Sequence, residues 1–392
     1  MIFNSLGSNY DFNFVIKSLS SFFGNPKDLE KLLVDKYGGK VSLVYKGSEA
    51  IELSLKLLNL PKESFVAING FTCFAVYEAI KKAGLNVEYL DIERGKLNFS
   101  ADTLNKTIQK NAKIKVVIVQ NTLGYPCEIE EISKVCKENR IILIEDLAHS
   151  IGTKYENGKQ SGTIGDITIL SFSQDKIIDG VSGGALITKR QISIPHLKGV
   201  AIGQQIIDRF YPFFTFFIRK FYPIGLGKLL HFVLKKLNLL SKPMGTAEIK
   251  NLHNLPNWYA NLIKNEFSNL ERNLVHRKKI ASIYSQSLNP KIISKAISEK
   301  IDYSSNLRFP IFVEKREGLI KYLEDNVIYV SDIWYDAPIA PKKYLPRTDY
   351  NKQCPNSELA SSAILNLPTH INVSEKDAKE ISNHINQWLK SQ

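Results

Sequence analysis

The chain has 392 residues, 44% of them hydrophobic, and a formal net charge of +13. That content is too apolar for a disordered chain, and the length exceeds what one core usually serves, so two domains are expected. The Lys and Arg residues are dispersed and join no nucleic-acid recognition motif, which argues against a nucleic-acid partner; anionic small substrates or a membrane surface account for the charge as well.

Residues 1–14 (MIFNSLGSNYDFNF) lack a basic start, an apolar core and a small-residue cleavage site, so no secretion signal is expected. From about 40 to 190, short β-branched runs at 115–120, 141–145 and 167–170 alternate with helical patterns such as 49–58 and 128–138. This alternation predicts a parallel sheet flanked by helices, with ligands outside the carboxyl ends of the strands. Asp146 and Ser171 fall at such ends. The four cysteines, Cys73, Cys127, Cys136 and Cys354, have neither zinc-site spacing nor disulfide-scaffold density, which fits a reduced, cytoplasmic protein.

The run SFSQDK at 171–176 sets Lys176 in a turn just past a strand and before Gly183 and Gly184. A lysine there is ordinarily solvated, but it can also form an imine with a carbonyl cofactor if a phosphate site and an acidic partner converge on it. Asp146 is the candidate acid facing a pyridine nitrogen; its bland reading is a helix N-cap. Gly47 and Ser48, opening a helix, and Ser171, closing a strand, can hold a phosphate, or be a cap and a turn. His149 can hydrogen-bond the ring hydroxyl, pack over the ring, or be an ordinary core histidine.

Residues 205–243 differ in character. They hold seven Lys or Arg and one Asp, and they are rich in aromatics. Leu226, Leu229, Leu230, Val233, Leu237 and Leu240 recur at steps of three and four, with Lys228, His231, Lys235, Asn238 and Lys242 opposite. An inserted helical hairpin is expected. Through 209–240 it can either lie peripherally on an anionic membrane surface or pack on the large domain or a partner subunit. Its most apolar stretch, 213–218, falls far short of the roughly 20 residues that span a bilayer. One long helix is expected over 256–277, then a strand at 308–313, a helix at 315–325, a strand at 327–330 and a final helix at 374–389. This gives a large domain over 1–250 and a smaller α/β domain over 251–392.

Taken in order, GSEA at 47–50, FTC at 71–73, EDLAHS at 145–150, GTIGD at 162–166, SFSQDK, the glycine pair, CPNSE at 354–358 and LNLPTH at 365–370 resemble the DegT/DnrJ/StrS family of sugar aminotransferases. The resemblance covers nearly the whole chain. It implies the aspartate-aminotransferase-like fold, fold type I of the pyridoxal 5′-phosphate enzymes, with a homodimer whose sites lie at the subunit boundary. It further implies Lys176 as the Schiff-base lysine, Asp146 as the pyridinium partner, His149 near the ring oxygen, and Ser48 and Ser171 at the phosphate. The implied reaction moves an amino group from an amino acid, glutamate, to a keto sugar linked to a nucleotide. Dehydration, amination of a cyclic ketone, and a non-catalytic regulatory or membrane-associated role are the alternatives.

Three positions depart from the family pattern. Cys73 stands where many relatives put an aromatic ring against the cofactor. Val181 and Ser182 replace a Gly-Glu pair. The segment 251–254 lacks a clean copy of the asparagine that reaches the neighbouring subunit's phosphate.

Overall fold

The computed structural model describes residues 1–21, 23–190, 193–242 and 252–392. A seven-stranded sheet organises the first half of the chain. In spatial order its strands are Lys40–Val44, Gly184–Thr188, Ile167–Ser171, Ile142–Asp146, Ile114–Val119, Phe65–Asn69 and Asn86–Leu90. Gly184–Thr188 runs antiparallel to both its neighbours, and the other pairings are parallel. Val116 and Ile118 enter one apolar cluster while Val117 and Val119 enter another, so alternate residues bury both faces of the sheet, as a parallel sheet covered by helices requires.

The register places the site. Val44, Gly184 and Ser171 lie opposite one another across three adjacent strands, and Asp146 ends the next. The helix Gly47–Leu57 starts just past Val44. A Cβ on Gly184 would sit 2.7 Å from the Gly47 amide nitrogen and the Lys46 carbonyl carbon, so a glycine is what lets this strand approach the start of that helix.

In the C-terminal part, Arg308–Phe312 pairs antiparallel with Ile364–Pro368, and the helices Arg316–Asp325 and Glu375–Lys390 pack beside them around Leu319, Leu323, Ile381 and Ile385. Ile2–Phe3 pairs with Ile328–Tyr329, so the N-terminal strand joins this layer and not the large sheet. The expected boundary at 250/251, and Asn251 with it, lies outside the described residues.

The expected single helix over 256–277 is two, Asn257–Ser268 and Leu270–Ser287. Asn269 separates them, its side-chain amide donating to the Asn265 carbonyl at 3.2 Å. Asparagine competes for backbone groups in this way without the glycine or proline that would announce a break. The hairpin forms from Ile202–Lys220 and Leu226–Lys236. Its expected apolar stripe divides: Leu226, Leu229, Val233 and Leu237 are exposed, Leu230 is half-buried and Leu240 packs against the core cluster of the large sheet, while Gly227 and Leu234 are the buried side of the second helix.

Candidate active site

Adjacent residues of one strand divide structure from chemistry. Glu145 and Asp146 point to opposite faces. The buried Glu145 carboxylate accepts the N–H groups of Gly162, Ile164 and Gly165 and the Tyr155 hydroxyl, at 2.6–2.7 Å, which ties the GTIGD loop to the sheet. Asp146 instead faces a cavity of about 250 Å³. Its Oδ1 accepts the Ala148 N–H at 2.9 Å within a turn, and no helix follows for it to cap. Burial pushes its carboxyl up to about 6, against the pull of the Ala148 N–H and the Lys176 amine.

All seven residues singled out from the sequence, Gly47, Ser48, Cys73, Asp146, His149, Ser171 and Lys176, line this one cavity. Lys176 lines the cavity and is half-buried. Burial lowers its pKa, with Cys73 and Asp146 pulling the other way. Its Nζ lies 4.5 Å from the ring centre of Trp334. The turn carrying it is built around Asp179, whose carboxylate accepts the N–H groups of Asp175 (2.7 Å) and Val181 (3.0 Å) and the Tyr10 hydroxyl (2.7 Å). Those bonds hold Asp175 and Val181 at positive φ, a conformation unfavourable for residues with a Cβ, valine above all.

At the other end of the cavity, no side chain caps the helix Gly47–Leu57, so its first-turn amides and dipole are open to an anion. Ser171 and Ser173 set their hydroxyls 3.5 Å apart beside it. The Gln174 amide nitrogen is buried without a hydrogen-bond partner among the described residues, and Gln174 also lines the cavity. A buried donor left unsatisfied is costly, which marks a place for an acceptor. A Cβ on Gly47 would stand 2.6 Å from the Ser171 Cβ and 2.8 Å from its Oγ. Gly47→Ala is therefore expected to push these two walls apart, at a cost on the order of 1–3 kcal/mol. Titrating an anionic cofactor into the variant checks this by a weaker dissociation constant.

His149 accepts the Leu123 N–H at Nδ1 (3.2 Å), with the Tyr335 hydroxyl 3.2 Å from the same atom. Burial, then Lys176 and Arg308, hold its pKa well below the usual histidine range. It is neutral, with Nδ1 the acceptor and its proton on Nε2. Its ring stacks on Trp334, centroids 5.4 Å apart. Cys73 occupies the place expected for an aromatic ring, and its Sγ accepts the Ala75 N–H; the aromatic walls are His149, Trp334 and Tyr335.

Sequence reasoning did not single out Gln174, Asp179, Trp334 or Tyr335. Gln174 lies inside the SFSQDK run already noted. Trp334 and Tyr335 come from beyond residue 300 and carry no local signal. Among the described residues no cluster of His, Cys, Asp and Glu suits a metal ion.

The cavity can hold a planar, anionic carbonyl compound: an amine whose pKa burial lowers, a facing carboxyl, aromatic walls and an anion cradle. The profile of the DegT/DnrJ/EryC1/StrS aminotransferase family matches residues 18–198 and 241–386. The chain is 25% identical over 356 residues to GDP-perosamine synthase of Vibrio cholerae, covering 88% of this chain and 85% of that one. It is 26% identical over 364 residues to UDP-4-amino-4,6-dideoxy-N-acetyl-beta-L-altrosamine transaminase of Campylobacter jejuni, covering 90% and 86%. A crystal structure of a DegT DnrJ EryC1 StrS aminotransferase from Brucella abortus has the same fold, with a TM-score of 0.70 at 21% identity, over 96% of this chain and 95% of that one.

Proposed function

Because this chain belongs to the DegT/DnrJ/EryC1/StrS aminotransferase family, a family of pyridoxal 5′-phosphate enzymes, we propose that it moves the amino group of glutamate to a keto sugar carried on a nucleotide, in the building of surface polysaccharide. One observation carries the reading: Lys176, Asp146, Ser171 and the open amide end at Gly47 and Ser48, separate in sequence, line one cavity. The named relatives that act on GDP- and UDP-linked sugars support the nucleotide.

Bound pyridoxal 5′-phosphate supplies an aldehyde for covalent attachment and a ring that draws electrons from the bond being broken. Lys176 would hold the aldehyde, and Asp146 the ring nitrogen. Gly47, Ser48, Ser171 and Gln174 would hold the phosphate, with His149 and Cys73 on the ring's flanks. The unsatisfied Gln174 amide and the missing Cβ at Gly47 fit such a group. Lys176 Nζ would also be the base that accepts the proton from the donor Cα and the acid that delivers one to the sugar carbon that gains the amine. Burial lowers the pKa of this amine, which moves it toward the neutral form a base needs. His149, held toward its neutral form by burial, would add no second cation beside the bound ring.

The division into 1–250 and 251–392 is part of this proposal, with Trp334 and Tyr335 of the smaller part walling the cavity of the larger. So are a homodimer and a cytoplasmic location; light scattering should give twice the chain mass. Incubating holoprotein with glutamate and a panel of GDP-, UDP- and dTDP-linked keto sugars should yield 2-oxoglutarate and an equal amount of amino sugar. Release of a sugar hydroxyl with no amino sugar formed would favour dehydration instead.

A further inference from the structure

We propose that the hairpin Ile202–Lys220 and Leu226–Lys236 docks this enzyme on an anionic phospholipid bilayer, its outward apolar face in the headgroup boundary and its lysines among the phosphates.

The hairpin is a built unit. The Arg219 guanidinium donates to the Tyr10 carbonyl (2.9 Å) and Arg209 to the Ser21 carbonyl (2.7 Å), which fastens the first helix to the body. Asp208 accepts the hydroxyl of Tyr45 at 2.6 Å, that of Tyr259, and the Gln204 amide at 2.8 Å. At the bend, a Cβ on Gly227 would lie 2.1 Å from the Ile218 carbonyl oxygen, so only glycine lets the second helix press so closely on the first. The side of the second helix that faces the body is thereby used.

What remains outside is apolar and basic. Leu226, Leu229, Phe232 and Leu237 are 59%, 60%, 63% and 60% exposed. Ile202, Ile206 and Phe210, four residues apart, are exposed along the first helix. An isolated exposed leucine needs no explanation, but apolar residues exposed at helical spacing along both helices mark an interaction surface. The family profile stops at 198 and resumes at 241, so it does not describe the hairpin; Tyr211 on the inner side enters the core, and the outer face is left uncovered.

Charge decides the occupant. Within 199–242 the sole acid is Asp208, which is buried, against seven Lys or Arg. Lys220, Lys228, Lys235 and Lys236 are exposed, and none pairs with a carboxylate among the described residues. A second copy applied symmetrically would set these lysines against their own kind. A bilayer of negative headgroups complements both halves of the surface, each lysine near it adding attraction and each apolar residue burying area. Neither helix is long and apolar enough to cross a membrane, which leaves it lying at the interface.

The test is sedimentation of the intact holoprotein with vesicles of phosphatidylcholine alone and of phosphatidylcholine mixed with phosphatidylglycerol. The protein should pellet with the mixed vesicles, stay in the supernatant with the neutral ones, and be released by salt. Lys228→Glu/Lys235→Glu/Lys236→Glu should weaken binding by on the order of 100-fold, and Leu229→Ser/Phe232→Ser should abolish it. Both variants should keep wild-type turnover in free solution, which establishes their folding, since none of these residues touches the cavity. Intact protein left in the supernatant with the mixed vesicles overturns the proposal, as does binding that neither variant alters. So does a wild type that ignores vesicles while Leu229→Ser/Phe232→Ser halves its mass by light scattering, because the face then joins two copies.

Discussion

Lys176→Ala should lower turnover by roughly 10²–10⁴-fold or more, the span of a lost general acid–base, with covalent attachment lost besides. The purified variant should lack the visible absorbance of the wild type, and excess cofactor should not restore turnover. Stability separates this from misfolding. Burial lowers the pKa of the Lys176 amine, so as a cation it opposes folding, and alanine removes that penalty. The native state binds fewer protons there than the unfolded chain, so wild-type stability rises with pH through the interval below the ordinary lysine pKa. Cofactor-free Lys176→Ala should therefore be at least as stable as wild type in urea, with its advantage greatest at lower pH.

Asp146→Asn keeps the shape and removes the charge. Turnover should fall by roughly 10²–10³-fold, the usual loss for one preorganised electrostatic partner. In the cofactor-free protein the same substitution should stabilise. Burial pushes the Asp146 carboxyl up to about 6, above the unfolded value of about 3.9. Between those values the native state holds a proton the unfolded chain has released, so wild-type stability falls as pH rises through the window and stays lower above it. Asparagine escapes this. The advantage of Asp146→Asn should grow from about pH 4 to pH 6 and then level off near 3 kcal/mol. Adding cofactor should reverse it, since a bound ring cation favours the ionised carboxylate. Urea denaturation across pH, with and without cofactor, reads both signs.

Much of the sheet and of the site lay in short-range pattern. Asp146 and Ser171 could be placed because each closes a β-branched run, and Lys176 because it follows Ser171 within one turn. The anchors of those same residues lay elsewhere in the chain. Asp179 is held by Tyr10, 169 positions away, and His149 contacts Tyr335, 186 away; tertiary packing brings them together and leaves no mark on either segment. The hairpin is the instructive miss. Periodicity located the apolar face of the second helix, but the buried side is the one carrying Gly227, where the absence of a side chain permits close approach. Apolar spacing reports a face, not what covers it. Asn269 likewise broke a helix by side-chain competition, which hydrophobic spacing does not register.

The central claim is that pyridoxal 5′-phosphate is bound in this cavity through the Lys176 amine. Borohydride reduction of the holoprotein, proteolysis and mass spectrometry should put one phosphopyridoxyl group on the peptide containing Lys176. A label on another lysine, Lys46 of the same cavity included, or none on holoprotein that carries the visible absorbance, would contradict it.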